Sequence, residues 1–162
     1  MSAARVYSFP PIADSGSRIL ILGSMPGTGS LRAGEYYAHP RNAFWRIMAE
    51  LVGADFDKPY AERTKILCEQ GIAVWDVFQS CVRDGSLDTA ISQEIPNDFA
   101  SFFAKHRQIA HVGLNGGKAA AAFAKFAVCP PHVKVVRLPS SSPAYTMRFE
   151  QKCAAWRAGL PI

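Results

Sequence analysis

The residues that could do chemistry are concentrated in one stretch. Between Gly23 and Trp45 the chain reads GSMPGTGSLRAGEYYAHPRNAFW, and a second polar turn, PSSSPAY, lies at Pro139 to Tyr145. Asn42, near a helix start, either caps backbone N–H groups or, with Pro40 already filling the first turn, faces a cleft with its amide. His39 offers an orienting hydrogen bond or packs its loop. Tyr36 and Tyr37 either pack that loop on the domain or form a platform on which a planar base can stack. Ser140, Ser141 and Ser142 could exchange hydrogen bonds with phosphates, and the rigid tip Pro143-Ala144-Tyr145 could enter a groove; the plainer reading is an ordinary serine-rich turn.

The elements around these turns must hold them in place. Short apolar runs bounded by turn residues read as buried parallel strands at Arg18–Leu22, Ile72–Phe78, Ile109–Leu114 and Lys134–Leu138. Helices are expected from about Pro40 to Val52, ended by Gly53, and from Pro59 to Gln70. Three more follow: one capped by Asn97 or Asp98 and running through Phe99, Phe102 and Phe103, one over Gly116–Phe126, and one from about Thr146 to Ala158. Met1 to Gly16 reads as an extended arm and Cys81 to Asp98 as a surface loop. The alternation predicts an α/β, three-layer sandwich with a central four-stranded parallel sheet, in a single domain spanning residues 1–162. The turns Gly23–Asn42, Phe78–Asp88, Asn115–Lys118 and Pro139–Tyr145 then face one cleft at the carboxyl edge of the sheet.

Composition narrows the function classes. The chain has 162 residues, 49% hydrophobic, enough for one domain with a real core. Lys and Arg exceed Asp and Glu by 18 to 13, which suits an anionic partner such as nucleic acid or simply a basic protein. The four cysteines are scattered without a CxxC pair and the four histidines lack ligand spacing, so no metal and no disulfide frame is expected. No run approaches the length of a membrane span and no secretory h-region is present. A cytoplasmic monomer without a cofactor is the expectation. GSMPGTGS after a strand invites a phosphate-loop reading, but neither GxGxxG nor Gly-Lys-Ser/Thr is there.

Four blocks together resemble the uracil-DNA glycosylase superfamily, and within it the hypoxanthine-DNA glycosylase (DNA-deoxyinosine glycosylase) group. They are GSMPG at Gly23–Gly27, YYAHPRNAFW at Tyr36–Trp45, WDVFQSCVRDGSLDTAI at Trp75–Ile91, and LNGGKA with LPSSSPAY at Leu114–Ala119 and Leu138–Tyr145. Mismatch-specific uracil glycosylases share the AHPxNxFW block but have GINPG first, with a catalytic asparagine where this chain has Met25. In the hypoxanthine group, which also has methionine there, catalysis is assigned to another asparagine, and the matching residue is Asn42.

The resemblance implies a deaminated base flipped out of double-stranded DNA and released by hydrolysis of its N-glycosidic bond, in base excision repair. Hypoxanthine is the expected base, with uracil or xanthine possible. Asn42 would hold the attacking water, acting by position and hydrogen bonding because an amide is no base at neutral pH. Tyr37 would stack on the base, and backbone N–H groups of the turn running from Ser24 through Met25 and Pro26 to Gly27 would receive charge on the departing base. Asn115 would read the base edge or stabilise its turn. Ser140 and Ser142 would pinch phosphates, with Ser141 between them and His39 nearby, while Pro143 to Tyr145 fill the vacated stack. Arg41, Arg46, Arg148 and Lys152 flank the motif turns as a phosphate track or as plain surface charge, and Lys118 contacts phosphate or is helix-surface charge. With no lysine at a nucleophile position, a monofunctional enzyme is expected. The alternatives are a mismatch-specific uracil or thymine glycosylase and a non-catalytic nucleic-acid-binding module of the same fold. The enzyme would be nucleoid-associated when acting on DNA.

Overall fold

The computed structural model describes residues 4–162. Seven strands and six α-helices occur among them: β1 Arg5–Tyr7, β2 Ile19–Gly23, α1 Thr28–Ala33, α2 Phe44–Val52, α3 Tyr60–Glu69, β3 Ile72–Asp76, β4 Phe78–Val82, β5 Ser92–Pro96, α4 Phe99–Lys105, β6 His111–Asn115, α5 Gly117–Phe126, β7 Lys134–Leu138 and α6 Phe149–Gly159. A short 3₁₀ turn covers Asp88–Ala90. The central sheet is four-stranded and fully parallel in the order β3-β2-β6-β7, as the alternation of strands and helices predicts.

Burial on both faces explains why the strands are continuous apolar runs: β2 and β3 are buried at every position. Alternate side chains go to opposite layers. Leu20, Leu22, Ala73, Trp75, Val112 and Leu114 pack with Phe99, Phe102, Phe103 and Phe123 of α4 and α5. Ile19, Ile21, Ile72 and Val74 pack on the other side with Phe44, Trp45, Met48, Leu67 and Trp156 of α2, α3 and α6. Gly113 permits close approach, since a β-carbon there would lie 2.8 Å from Leu138 Cδ1.

The structure corrects three expectations. The arm read over Met1 to Gly16 is in part a strand: β1 pairs antiparallel with β4, and Ile12 bridges Val74 on β3. Met1 to Ala3 lie outside the described residues. The segment Cys81 to Asp98, read as a surface loop, carries the end of β4, the 3₁₀ turn and β5, and β1-β4-β5 form a second, antiparallel sheet. Its signal was weak because β5, SQEIP, is mostly polar and half-exposed, so no apolar alternation marks it. The strand expected at Ile72–Phe78 is also divided, with Asp76 ending β3 and Phe78 opening β4.

The strand order determines where a ligand can sit. The chain leaves β2 toward β3 on one side and returns to β6 on the other, so the direction of winding reverses between β2 and β6. At such a switch point the turns diverge and leave a crevice beyond the carboxyl ends of the strands. Gly23 ends β2 and Asn115 ends β6, and both line a cavity of about 800 Å³.

Candidate active site

Helix α2 begins at Phe44, four residues later than Pro40, so the proline does not occupy its first turn. Instead the His39 carbonyl accepts the Asn42 N–H at 2.9 Å, and the Asn42 Oδ1 accepts the Phe44 N–H at 2.9 Å. The two readings of Asn42 therefore coincide. Its carbonyl oxygen satisfies one orphan donor at the helix start, and the half-buried side chain, thus fixed, lines the cavity with a lone pair and an NH2 group to spare. His39 shares the cavity wall and accepts the Arg41 N–H on Nδ1 at 3.1 Å.

The adjacent tyrosines take opposite roles. Tyr36 is 3% exposed; its hydroxyl donates to the carbonyls of Pro10 and Phe9, and its own carbonyl accepts from the Trp45 indole at 2.9 Å. It anchors the loop to the core, the packing role of the two offered for the pair. Tyr37 adopts φ 55°, a left-handed conformation unusual for an aromatic residue. That turn lays its ring against Phe44, centroids 4.2 Å apart and planes 26° from parallel, while the ring also lines the cavity. Burial, then the nearby Asp76 charge, drives the Tyr37 phenol far above its ordinary value, so it stays neutral.

Asn115 ties the floor together. Its Oδ1 accepts the Ser141 N–H at 2.8 Å, and its Nδ2 donates to Ser141 Oγ at 2.9 Å and to the Tyr37 hydroxyl at 3.2 Å. The Ser141 carbonyl in turn accepts the Ala43 N–H at 2.9 Å. One chain of hydrogen bonds thus links the turns after β2, β6 and β7. Ser141, expected among the phosphate contacts, is 1% exposed, and its N–H and Oγ serve this brace at the cavity wall. Ser140 and Ser142 cap their own turn, accepting the N–H groups of Ser142 and Ala144, and leave their outer faces on the cavity rim with Pro143, Ala144 and Tyr145.

The loop after β2 forms the opposite wall. Ser24, Met25, Pro26 and Gly27 all line the cavity, and Met25 is also packed into the core beside Leu22 and Trp75. Among the described residues no hydrogen bond occupies the N–H of Met25 or of Gly27. Ser24 Oγ donates to Asp88 Oδ1 at 2.7 Å, the Thr28 N–H donates to Ser86 Oγ at 2.8 Å, and the Arg83 guanidinium donates to the Pro26 carbonyl. The block running through Arg83, Ser86 and Asp88 thus clamps the GSMPG turn. Leu87, 63% exposed, stands on the rim beside it.

Sequence reasoning assigned no role to Asp76. It ends β3 directly opposite Gly23, lines the cavity and is 3% exposed. Burial, reinforced by the Asp88 charge and opposed by Arg83, pushes its carboxyl up to about 7. The signal available was an acidic residue closing an apolar strand, IAVWD, at the edge where ligands bind.

The basic residues divide. Arg41 is exposed on the cavity rim. Arg46 lies 3.9 Å over the Phe149 ring, and Arg148 approaches Glu150 at 3.9 Å. Lys152 is 4% exposed and donates to the Ser142 carbonyl at 3.1 Å, so it supports the serine turn rather than a solvent-facing phosphate track. Lys118 does not line the cavity; it lies 3.8 Å from Glu94.

A parallel sheet with a cleft at its switch point, flanked by a Gly-Ser-Met-Pro-Gly turn and a serine turn, defines an α/β protein of the uracil-DNA glycosylase-like fold. A model of the uracil DNA glycosylase superfamily matches residues 10–159, and the chain belongs to that superfamily. It is 34% identical over 151 residues to a hypoxanthine DNA glycosylase of Methanosarcina acetivorans, covering 93% of this chain and 94% of the other. A hypoxanthine DNA glycosylase of Methanosarcina barkeri is 43% identical over 93 residues, a match that spans 57% of this chain and 59% of that relative. The solution NMR structure of a candidate uracil DNA glycosylase from Methanosarcina acetivorans superimposes with a TM-score of 0.77 at 31% identity, covering 96% of this chain and 98% of that one. No described helix is long and apolar enough to cross a membrane.

Proposed function

We propose that this chain is a monofunctional DNA glycosylase that removes hypoxanthine from DNA, acting as one domain without a cofactor. The observation that carries this reading is the joint presence of Asn42 and Tyr37 on one cavity, the first held by the helix it caps and the second by the ring it stacks on. The names of the two relatives support hypoxanthine as the base.

A flipped deoxynucleotide enters with its base against the free face of Tyr37, its sugar toward Asn42 and its phosphates along the rim of Ser140, Ser142, His39 and Arg41. Extrusion costs a few kcal/mol, offset by stacking of about 1–3 kcal/mol and by phosphate contacts. Asn42, with one lone pair committed to Phe44, uses its remaining polar atoms to position water below C1′. As the glycosidic bond lengthens, positive charge gathers on the sugar and negative charge on the base; the open N–H groups of Met25 and Gly27 suit the latter. Asn115, its amide spent on Ser141 and Tyr37, acts by shaping the pocket.

The test is single-turnover base release from duplexes carrying one deoxyinosine or one deoxyuridine, read by alkaline cleavage of the abasic product. Release of hypoxanthine well above uracil is expected. Release of uracil alone would assign the chain to a uracil-directed activity, and tight binding with neither base released would make it a binding module.

A further inference from the structure

Among the described residues Asp76 is the one buried acid lining the cleft, and its side chain makes no hydrogen bond. Its backbone carbonyl accepts the Asn97 Nδ2 at 2.7 Å, but the side-chain Oδ2 is buried without any hydrogen-bond partner. An orphaned polar atom of this kind weakens the fold, and such atoms persist where a ligand completes them. The residue lines the cavity at the end of β3. A β-carbon at Gly23 would lie 2.7 Å from Asp76 Oδ1 and 2.9 Å from the Tyr37 hydroxyl, so glycine at the end of β2 lets both groups approach the strand end at the cavity floor.

We propose that Asp76 is the proton donor to the departing base, passing its carboxyl proton to a basic ring nitrogen of a purine, N7 or N3, as the C1′–N9 bond breaks. The proposal rests on the glycosylase reading and deepens it. The electron pair of the broken bond stays with the base, which leaves neutral because it has gained the proton. Water held by Asn42 delivers hydroxide to C1′, and its proton restores the Asp76 carboxyl through solvent. Water is thereby split between sugar and purine with no other reactant.

The groups around Asp76 keep it in the form this step needs. From the 3₁₀ turn Asp88 disfavours a second negative charge, and burial does so more strongly; Arg83, after β4, is the one cation opposing them. Tyr36 and Tyr37, from the turn before α2, are buried phenols held neutral by the same surroundings. His39 stands on the same cavity wall. A carboxylic acid kept protonated near neutral pH is a competent general acid. The device favours purines, because uracil departing through N1 has only carbonyl oxygens to accept a proton.

The test is the pH profile of single-turnover hypoxanthine release between pH 5.5 and 8.5, with wild-type and Asp76→Asn protein, on deoxyinosine, 7-deaza-deoxyinosine and 3-deaza-deoxyinosine duplexes. Only the protonated acid can act, so wild-type release should fall about tenfold per pH unit above pH 7. Asp76→Asn keeps the shape and an N–H donor but has no transferable proton; it should be about 100-fold slower, with no falling limb. One of the two deaza substrates should lose a comparable factor with wild-type enzyme, an arm that requires no variant to fold. A level wild-type profile, a limb that survives in Asp76→Asn and so belongs to His39 or another group, or full release of both deaza bases would each overturn the proposal. Absence of hypoxanthine release from deoxyinosine at every pH would instead overturn the glycosylase reading.

Discussion

Asn115 and Ser141 exchange two hydrogen bonds across the carboxyl ends of neighbouring strands, the Ser141 N–H giving to Oδ1 at 2.8 Å and Nδ2 giving to Oγ at 2.9 Å. Through this pair the end of β6 is locked to the serine turn after β7. The same amide reaches the Tyr37 hydroxyl, so a pocket wall and a DNA-facing turn share one support. Removing the amide should disturb both at once. Asn115→Ala leaves buried partners unpaired and is expected to cost about 1–3 kcal/mol in denaturant unfolding. It should also slow base release, whereas Ser141→Ala, which spares the Ser141 N–H, should do less on both counts.

Asn42→Ala should abolish base release while leaving duplex binding within a few-fold of wild type, because the residue positions water and contributes little to the DNA contact. The loss of its cap to Phe44 should lower stability by about 1 kcal/mol. Release near the wild-type rate, measured at saturating enzyme, would refute its catalytic assignment.

For Tyr37, two substitutions separate ring from hydroxyl. Tyr37→Phe retains the stack on Phe44 and the platform for the base, losing only the acceptor for Asn115. It should retain most activity. Tyr37→Ala removes the platform and should weaken binding of deoxyinosine duplex more than of undamaged duplex, by the stacking worth of about 1–3 kcal/mol; equal losses on the two duplexes would contradict the stacking role.

Gly23→Ala tests the close approach of Asp76 and Tyr37 to the end of β2. The added methyl would lie 2.7 Å from Asp76 Oδ1 and 2.9 Å from the Tyr37 hydroxyl, both side chains held by a packed surround. A stability cost of about 1–3 kcal/mol and a large loss of base release are expected, from a protein that still binds DNA. Thermal melting and release assays on the same sample would show whether the methyl is accommodated instead.

Asp76 should make stability depend on pH in a direction opposite to most carboxylates. Its folded-state pKa, about 7, lies above the unfolded value, so the folded state holds the proton more tightly. Stability from this group is complete below pH 4 and is lost as pH rises through 7. Asp76→Asn should therefore be more stable than wild type at pH 8, by about 2–4 kcal/mol, with the gap closing toward pH 4 in urea titrations at each pH. A gap independent of pH would remove the titration from Asp76.

The four parallel strands and the helices between them are legible in the chain itself, because buried parallel strands must be apolar runs and the intervening helices carry a 3.6-residue apolar period. Lys134–Leu138 and the Asp98 cap, which accepts the Ser101 N–H, lie where the pattern places them. The motif turns are equally visible, since glycine, proline and serine clusters announce where regular structure stops. What the sequence could not express was pairing at a distance. The antiparallel sheet joins Arg5–Tyr7 to residues more than seventy positions away, and its outer strand is polar, so no local period reveals it. Asn115, Ser141 and Tyr37 are ordinary turn residues until the strand order β3-β2-β6-β7 brings three turns within hydrogen-bond reach. Asp76 is an unremarked acid at a strand end until burial and a neighbouring Asp88 favour its protonated form, and the missing β-carbon of Gly23 lets it sit against the end of β2. Residue type and spacing determined which groups could react; desolvation and contact, which exist only once the layers close, decided which of them face the cleft and in what protonation state.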